Sequence, residues 1–166
     1  CNLVHHNRAD HVGVGIYIDN GSSNFLIHHN VCWDNENSGI RLNTPSHNNR
    51  LYHNTLLHNG NSLGYWGPDG EKNQRGCVAA NNIMTDAVQL GEGIRTHHNY
   101  TGDAPRLAAP LRRDFRPAPE SPCVDAGAYI EGVTGAVAGE APDIGAYERV
   151  VGLWRPGHDW GEPPLF

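Results

Sequence analysis

The sequence predicts an all-β chain wound as a solenoid. Three observations predict it. A short unit ending in Asn recurs through residues 1–100; each repeat holds two β-type runs separated by turn residues; and no helical periodicity lies between them. A repeat of this length without a helix cannot bury its apolar face alone, so neighbouring repeats must stack.

The first run of each repeat carries the Asn. Leu3-Val4-His5-His6-Asn7 aligns with Leu26-Ile27-His28-His29-Asn30 and with Arg50-Leu51-Tyr52-His53-Asn54. Val78-Ala79-Ala80-Asn81-Asn82 and Arg95-Thr96-His97-His98-Asn99 continue the series. The Asn positions are 7, 30, 54, 82 and 99, at spacings of 23, 24, 28 and 17. The second run is Gly15-Ile16-Tyr17-Ile18-Asp19-Asn20, repeated as Gly39-Ile40-Arg41-Leu42-Asn43-Thr44, with Gly64-Tyr65-Trp66-Gly67 as a degraded third copy. Turn residues such as Asp34-Asn35 and Asn59-Gly60 separate the runs. A leucine-rich repeat shares the period and the Asn. It needs a helical half that is missing here, and the apolar positions mix Ile, Val and Leu.

Alternation assigns faces. The column Val4, Ile27, Leu51, Ala79 and Thr96 is mostly apolar and should point inward. His5, His28, Tyr52, Ala80 and His97 should point outward. His6, His29, His53, Asn81 and His98 should return inward beside the Asn. Coils stack about 4.8 Å apart, so like residues sit over like residues. Asn7, Asn30, Asn54, Asn82 and Asn99 are then expected to form one structural ladder of side-chain amides. The adjoining His column follows from the repeat itself, and no metal site is assigned to it.

Composition sets the limits. The chain has 166 residues and a mass of 18.1 kDa, enough for one domain. Mean hydropathy is −0.55, and no run approaches the roughly 18 apolar residues of a membrane span. Twelve Lys and Arg against 18 Asp and Glu give a net charge of −6, with no basic face for nucleic acid. Every Asn lies between Asn2 and Asn99, and every His but His158 precedes residue 100. The architecture should therefore change near residue 100. The expected division is coils over 1–100, about four of them; a cap over 101–149 with final strands ending at Ile144–Tyr147; and a Trp/Pro-rich tail over 150–166 that packs back on the coils through Trp154 and Trp160. The chain opens inside a repeat, as the C-terminal portion of a longer solenoid would. Cys1, Cys32, Cys77 and Cys123 match no zinc spacing. A Cys77–Cys123 disulfide and free buried thiols are equal alternatives.

The coil repeats resemble those of the right-handed parallel β-helix proteins, the pectate-lyase-like superfamily. Asp114-Phe115-Arg116-Pro117, Ser121-Pro122-Cys123-Val124-Asp125-Ala126-Gly127 and Asp143-Ile144-Gly145-Ala146-Tyr147-Glu148 are similar to the segment that closes the solenoid in many exported bacterial β-helix proteins. Cys123 departs from that pattern, where Ala is usual. The resemblance implies a right-handed parallel β-helix with a C-terminal capping segment. It implies a secreted, periplasmic or cell-surface bacterial protein and an extended polysaccharide as partner. The superfamily holds lyases, hydrolases, epimerases and non-enzymatic stalks, so the reaction is not fixed by it.

Enzymes of this kind bind polysaccharide along the outer face of a sheet. The outward residues of the second run are Tyr17, Asp19, Arg41 and Asn43. The insertion 61–76 adds Tyr65, Trp66 and Lys72 as a wall. A uronate lyase needs a base and a cation to hold the carboxylate, for which Arg41, His28, Tyr17 and Lys72 are the right types. A hydrolase needs paired carboxylates, available from Asp10, Asp19, Asp34 and Glu36, with Asp19 the best placed. The candidate catalytic residues are Asp19, Arg41, His28 and Tyr17; the candidate substrate-binding residues are Asn43, Tyr65, Trp66 and Lys72. Asp125 and Asp143 are read as turn residues binding local backbone N–H groups, with Ca2+ the cofactor they could otherwise hold. The alternative function is a non-catalytic β-helix that binds glycans or serves as a surface stalk.

Overall fold

The computed structural model describes residues 1–10 and 12–152. Its strands are β1 (Leu3–His5), β2 (Val14–Ile18), β3 (Leu26–His28), β4 (Val31–Trp33), β5 (Ser38–Leu42), β6 (Arg50–Tyr52), β7 (Thr55–Leu57), β8 (Asn61–Gly64), β9 (Val78–Ala80), β10 (Ile83–Met84), β11 (Arg95–His97), β12 (Leu107–Ala109) and β13 (Asp114–Pro117). From β1 to β11 consecutive strands enter different sheets, and the chain returns to each sheet one coil later. The result is three parallel sheets, β1-β4-β7-β10, β2-β5-β8 and β3-β6-β9-β11. Ile27 pairs with Leu51, Leu51 with Ala79, and Ala79 with Thr96. This is a parallel β-helix.

Most strands are three residues long because the chain must turn sharply between sheets. One residue in the left-handed region makes each turn. His6, His29, Asp34, His53, His58, Asn81 and His98 all have φ between 47° and 58°. Asn, Asp and His are the non-glycine side chains most often found there, which accounts for the His-rich composition. The column expected to return inward is therefore the corner itself. His6 and His98 are exposed, and His53 is buried beneath the C-terminal segment, whose Thr134 hydroxyl lies 3.2 Å from its Nε2.

Each of these seven residues is followed directly by an Asn. Two amide ladders result. In one, the Nδ2 of Asn2, Asn30, Asn54 and Asn82 donates in turn to the Oδ1 of Asn30, Asn54, Asn82 and Asn99, at 2.8, 2.9, 2.9 and 2.9 Å. In the other, Asn7 donates to Asn35 at 2.7 Å and Asn35 to Asn59 at 2.8 Å, while the Asn59 backbone N–H donates to Asp86. Asn7 thus leaves the single ladder expected from sequence. β1 pairs with β4, Leu3 opposite Val31, and not with β3. The two corners share one sequence code, so the first unit aligned equally well with either.

The lumen holds Ile18, Ile27, Cys32, Ile40, Leu42, Leu51, Leu56, Leu63, Ala79 and Met84. Thr96, expected inward, is exposed because β11 is the last strand of its sheet. Ala80, expected outward, is fully buried, its methyl flanked in register by Tyr52 and His97. A second apolar cluster lies outside the coil. Val31, Leu57 and Ile83 of the β1-β4-β7-β10 sheet meet Phe115, Cys123, Ile144, Ala146 and Tyr147 of the C-terminal segment. The capping segment therefore covers a sheet face, while β11 stays exposed along its length. It is stitched down by Ala146 N–H to Thr55 Oγ1 (2.9 Å), Gly145 N–H to the Asn81 carbonyl (2.8 Å) and paired bonds between Asn81 and Ala128.

One further expectation changes. The final strands are the antiparallel pair β12-β13, and no strand forms over Ile144–Tyr147, where the Ile144 N–H bonds the Cys123 carbonyl and those of Gly145 and Ala146 bond single atoms of the coil. Cys77 and Cys123 are both free. Cys77 sits at the entry to β9 with its thiol 3.5 Å from the Ser46 carbonyl, whereas Cys123 lies in the outer cluster. The packing of Trp154 and Trp160 lies outside the described residues. Asp125 accepts from the Glu140 and Ala141 N–H groups, and Asp143 from those of Asp125 and Arg149.

Candidate functional site

The outer face of the β2-β5-β8 sheet places side chains in register. Tyr17 lies beside Arg41, and Arg41 beside Gly64, which puts no side chain over the guanidinium. Asp19 follows β2 and Asn43 follows β5, and both stay within reach of Tyr17. The Tyr17 hydroxyl donates to Asp19 Oδ1 at 3.2 Å, and Asn43 Nδ2 donates to the Tyr17 oxygen at 2.5 Å and to Asp19 at 3.3 Å.

The electrostatics of this cluster follow from its contacts. The Asn20 backbone N–H, 2.8 Å from Asp19, holds that carboxyl below its ordinary range, helped by Asn43 and Tyr17. Burial, then the Asp19 hydrogen bond, raises Tyr17. Asp19 is therefore an ionised acceptor and a poor proton donor. Tyr17 is a protonated phenol. Neither has the intermediate acidity of a general acid or base at neutral pH.

Two atoms on this face stand out. Arg41 Nη1 reaches Asn37 Oδ1 at 3.5 Å, but Arg41 Nε and Asn43 Oδ1 are buried with no hydrogen-bond partner. Buried polar groups are nearly always satisfied, so this donor and acceptor, two residues apart and closed to solvent, leave an incompletely satisfied polar spot beneath the face.

Beyond Gly64 the chain opens into a cleft of about 520 Å³. Tyr65, Trp66 and Lys72 line it, with Glu71, Gln89 and Leu90. Half of the Trp66 surface is exposed. The Trp66 carbonyl accepts from the Thr44 N–H, which ties the cleft to the residue after Asn43. Sequence reasoning missed Asn37, Gln89 and Leu90. Asn37 lies in a turn, and Gln89 and Leu90 lie in a coil too irregular to align.

His28 is not part of this face. It lies on β3, in another sheet, with its Nδ1 2.9 Å from that of His29. The most perturbed titratable groups are also elsewhere. His29 and His53 stack at 4.9 Å beside a small cavity of about 130 Å³, walled by Thr134, Gly145, Tyr147 and Glu148. Burial, with the neighbouring His53, lowers His29 to about 3, and burial lowers His53 to about 4. The His53 Nε2 is already held by Asn81 and Thr134. These are packed neutral rings.

Comparison with known proteins agrees with this architecture. The profile of the family described as Periplasmic copper-binding protein (NosD) matches residues 1–102. The solved structure of pectate lyase Pel9A superposes with a TM-score of 0.69 at 20% sequence identity, over 89% of this chain. It shares the fold, and this chain spans 44% of its length. No curated protein matches the sequence. No helix among the described residues is long and apolar enough to cross a membrane.

Proposed function

Starting from a chain that belongs to the NosD family, we propose an exported β-helix protein that binds an extended, acidic polysaccharide across the outer face of β2-β5-β8. The supporting observation is the half-buried Arg41 guanidinium in register with the exposed Tyr17 ring on that face. A uronate carboxylate would accept from the Arg41 guanidinium. Tyr17 and Trp66, both substantially exposed, offer rings on which sugars can lie. Lys72 adds a second cation along the cleft.

Binding fits this face better than catalysis. The Asp19 carboxyl is held ionised, the Tyr17 phenol is held protonated, and His28 stands on another sheet. The polysaccharide lyase or hydrolase reading remains the second one, and the superposition on a pectate lyase fold favours it.

The test is affinity electrophoresis and calorimetry with polygalacturonate, alginate and a neutral glucan. Retention by the uronates that Arg41→Ala abolishes, with unchanged circular dichroism, supports the reading. Equal retention by the neutral glucan, or none by any polymer, overturns it. Release of unsaturated uronate, followed by its ultraviolet absorbance, would move the assignment to a lyase.

Copper, named in the family description, can be weighed against the donors present. Cys32, Cys77 and Cys123 are buried, and burial pushes Cys32 to about 12 and Cys123 to about 11, so these thiols are closed to a metal. No cluster of three or more His, Cys, Asp or Glu that could hold a metal occurs among the described residues.

A further inference from the structure

The outer face of β2-β5-β8 presents one residue per rung in its leading column. Tyr17 lies opposite Arg41 and Arg41 opposite Gly64, and the parallel bridge from Leu63 to Val88 sets Gln89 on the rung after Gly64. The Gln89 N–H bond to the Leu63 carbonyl, at 2.8 Å, fixes that register. Rungs lie about 4.8 Å apart. An extended pyranose chain advances by nearly the same distance per sugar, so a polymer laid along the coil axis meets the rungs one sugar at a time: a ring, a cation, a gap and an amide.

The charges on these rungs are unequal. Arg41 is the cation of the column, and among the described residues no carboxylate forms an ion pair with it. On the rung before it, the exposed Asp19 carboxylate accepts from the Asn20 N–H at 2.8 Å, from Tyr17 at 3.2 Å and from Asn43 at 3.3 Å. Those donors keep it ionised and fix it beside Tyr17. Beyond Arg41, Gly64 offers no charge and Gln89 a neutral amide, while Glu71 and Lys72 of opposite sign share the cleft wall. The face thus attracts a carboxylate at one rung and repels one at the rung before. A polymer with an acid on every sugar sets one of its carboxylates against Asp19. A polymer whose uronates are separated by neutral sugars does not. A like charge beside the binding charge discriminates between the two without any further contact.

We propose that this face selects an extended polysaccharide whose uronate residues are isolated between neutral sugars, with Arg41 binding the carboxylate, Asp19 excluding an acid on the preceding sugar, and Tyr17 and Trp66 carrying neutral sugars on either side. Trp66 suits the later position. The Thr44 N–H bond to its carbonyl, at 2.7 Å, brings it to the rung of Gly64, and half of its surface is exposed. The inference rests on the glycan reading and narrows it from acidic polymers in general to one class of them.

Two oligosaccharides of equal length test it: tetragalacturonate, with an acid on every sugar, and the tetrasaccharide repeat of gellan, with a single glucuronate among neutral sugars. Calorimetry on the full chain at low ionic strength should show the gellan repeat bound about tenfold or more tightly. Asp19→Asn, which keeps an acceptor for the Asn20 N–H, should strengthen tetragalacturonate binding about tenfold and leave the gellan repeat unchanged. Gln89→Arg adds a second cation two rungs from Arg41 and should likewise favour tetragalacturonate. Equal affinity for the two ligands, or preference for tetragalacturonate, would overturn the inference while the glycan reading stands, provided Arg41→Ala removes the binding. Discrimination that persists in an Asp19→Asn protein with native circular dichroism would overturn it too. No binding of either tetrasaccharide also overturns it, and the retention of polymers described above then decides the glycan reading separately.

Discussion

Asn54 shows what one side chain does in this coil. Its Nδ2 donates to Asn82 and to the Ile27 carbonyl, while its Oδ1 accepts from the amide and the backbone N–H of Asn30. It is fully buried. Asn54→Ala strands several of these groups at once and should cost about 3 kcal/mol in urea denaturation, more than Asn99→Ala at the last rung. His29 and His53 make a second residue-scale prediction. The unfolded chain takes up both protons near pH 6.5, and the folded chain resists them until about 3 and 4. Protons therefore favour the unfolded chain in that window, so stability is complete above pH 6.5 and is lost as pH falls toward 3. His28, Tyr147, Glu148 and the Asp143 backbone face these rings. His53→Asn should flatten the acid limb of a plot of Tm against pH; an unchanged limb would mean these rings do not set it. That Asn follows each corner was legible in the sequence. That His marks the corner was not, because a periodicity of two predicts an inward side chain where the backbone instead turns.

At the scale of the element, the strands were legible and their neighbours less so. The second run aligned with its partners because Gly15 and Gly39 occur once per coil. The first run did not, because both corners end in the same two-residue code and a five-residue window cannot tell them apart. The β12-β13 hairpin was hidden for another reason: it repeats nothing. The face assignment still yields a contrast. Ile27→Asp buries an unpaired charge in the lumen and should prevent folding, whereas Arg41→Ala should leave the melting temperature within a degree or two. The C-terminal segment depends on Gly145. A Cβ there would stand 2.7 Å from Ile83 Cδ1 and 2.9 Å from Thr55 Oγ1, at φ 110°. Gly145→Ala should lower stability by about 2 kcal/mol or more, measured by denaturation, by lifting the segment off the sheet. A neutral result would show that the segment rests on its side chains alone.

Across the whole molecule, the architecture was legible and the route of the C-terminal segment was not, since its apolar residues have no period to phase them. On the candidate face, Tyr17, Asp19, Arg41 and Asn43 could be grouped because strand alternation carries them there. His28 belongs to the first run and lies on β3, and alternation gives a direction and not a distance between runs. The route of the segment has a mechanical consequence. A solenoid bonded only between adjacent rungs can fray from its ends, one rung at a time. Here Phe115 packs on Trp33, Ala146 bonds Thr55 and Gly145 bonds Asn81, so one strap crosses three successive windings. Loosening any winding must strain the strap over the others. Hydrogen exchange of the Val31, Thr55 and Ile83 amides should therefore share a single opening energy, as the planks of a barrel share a hoop.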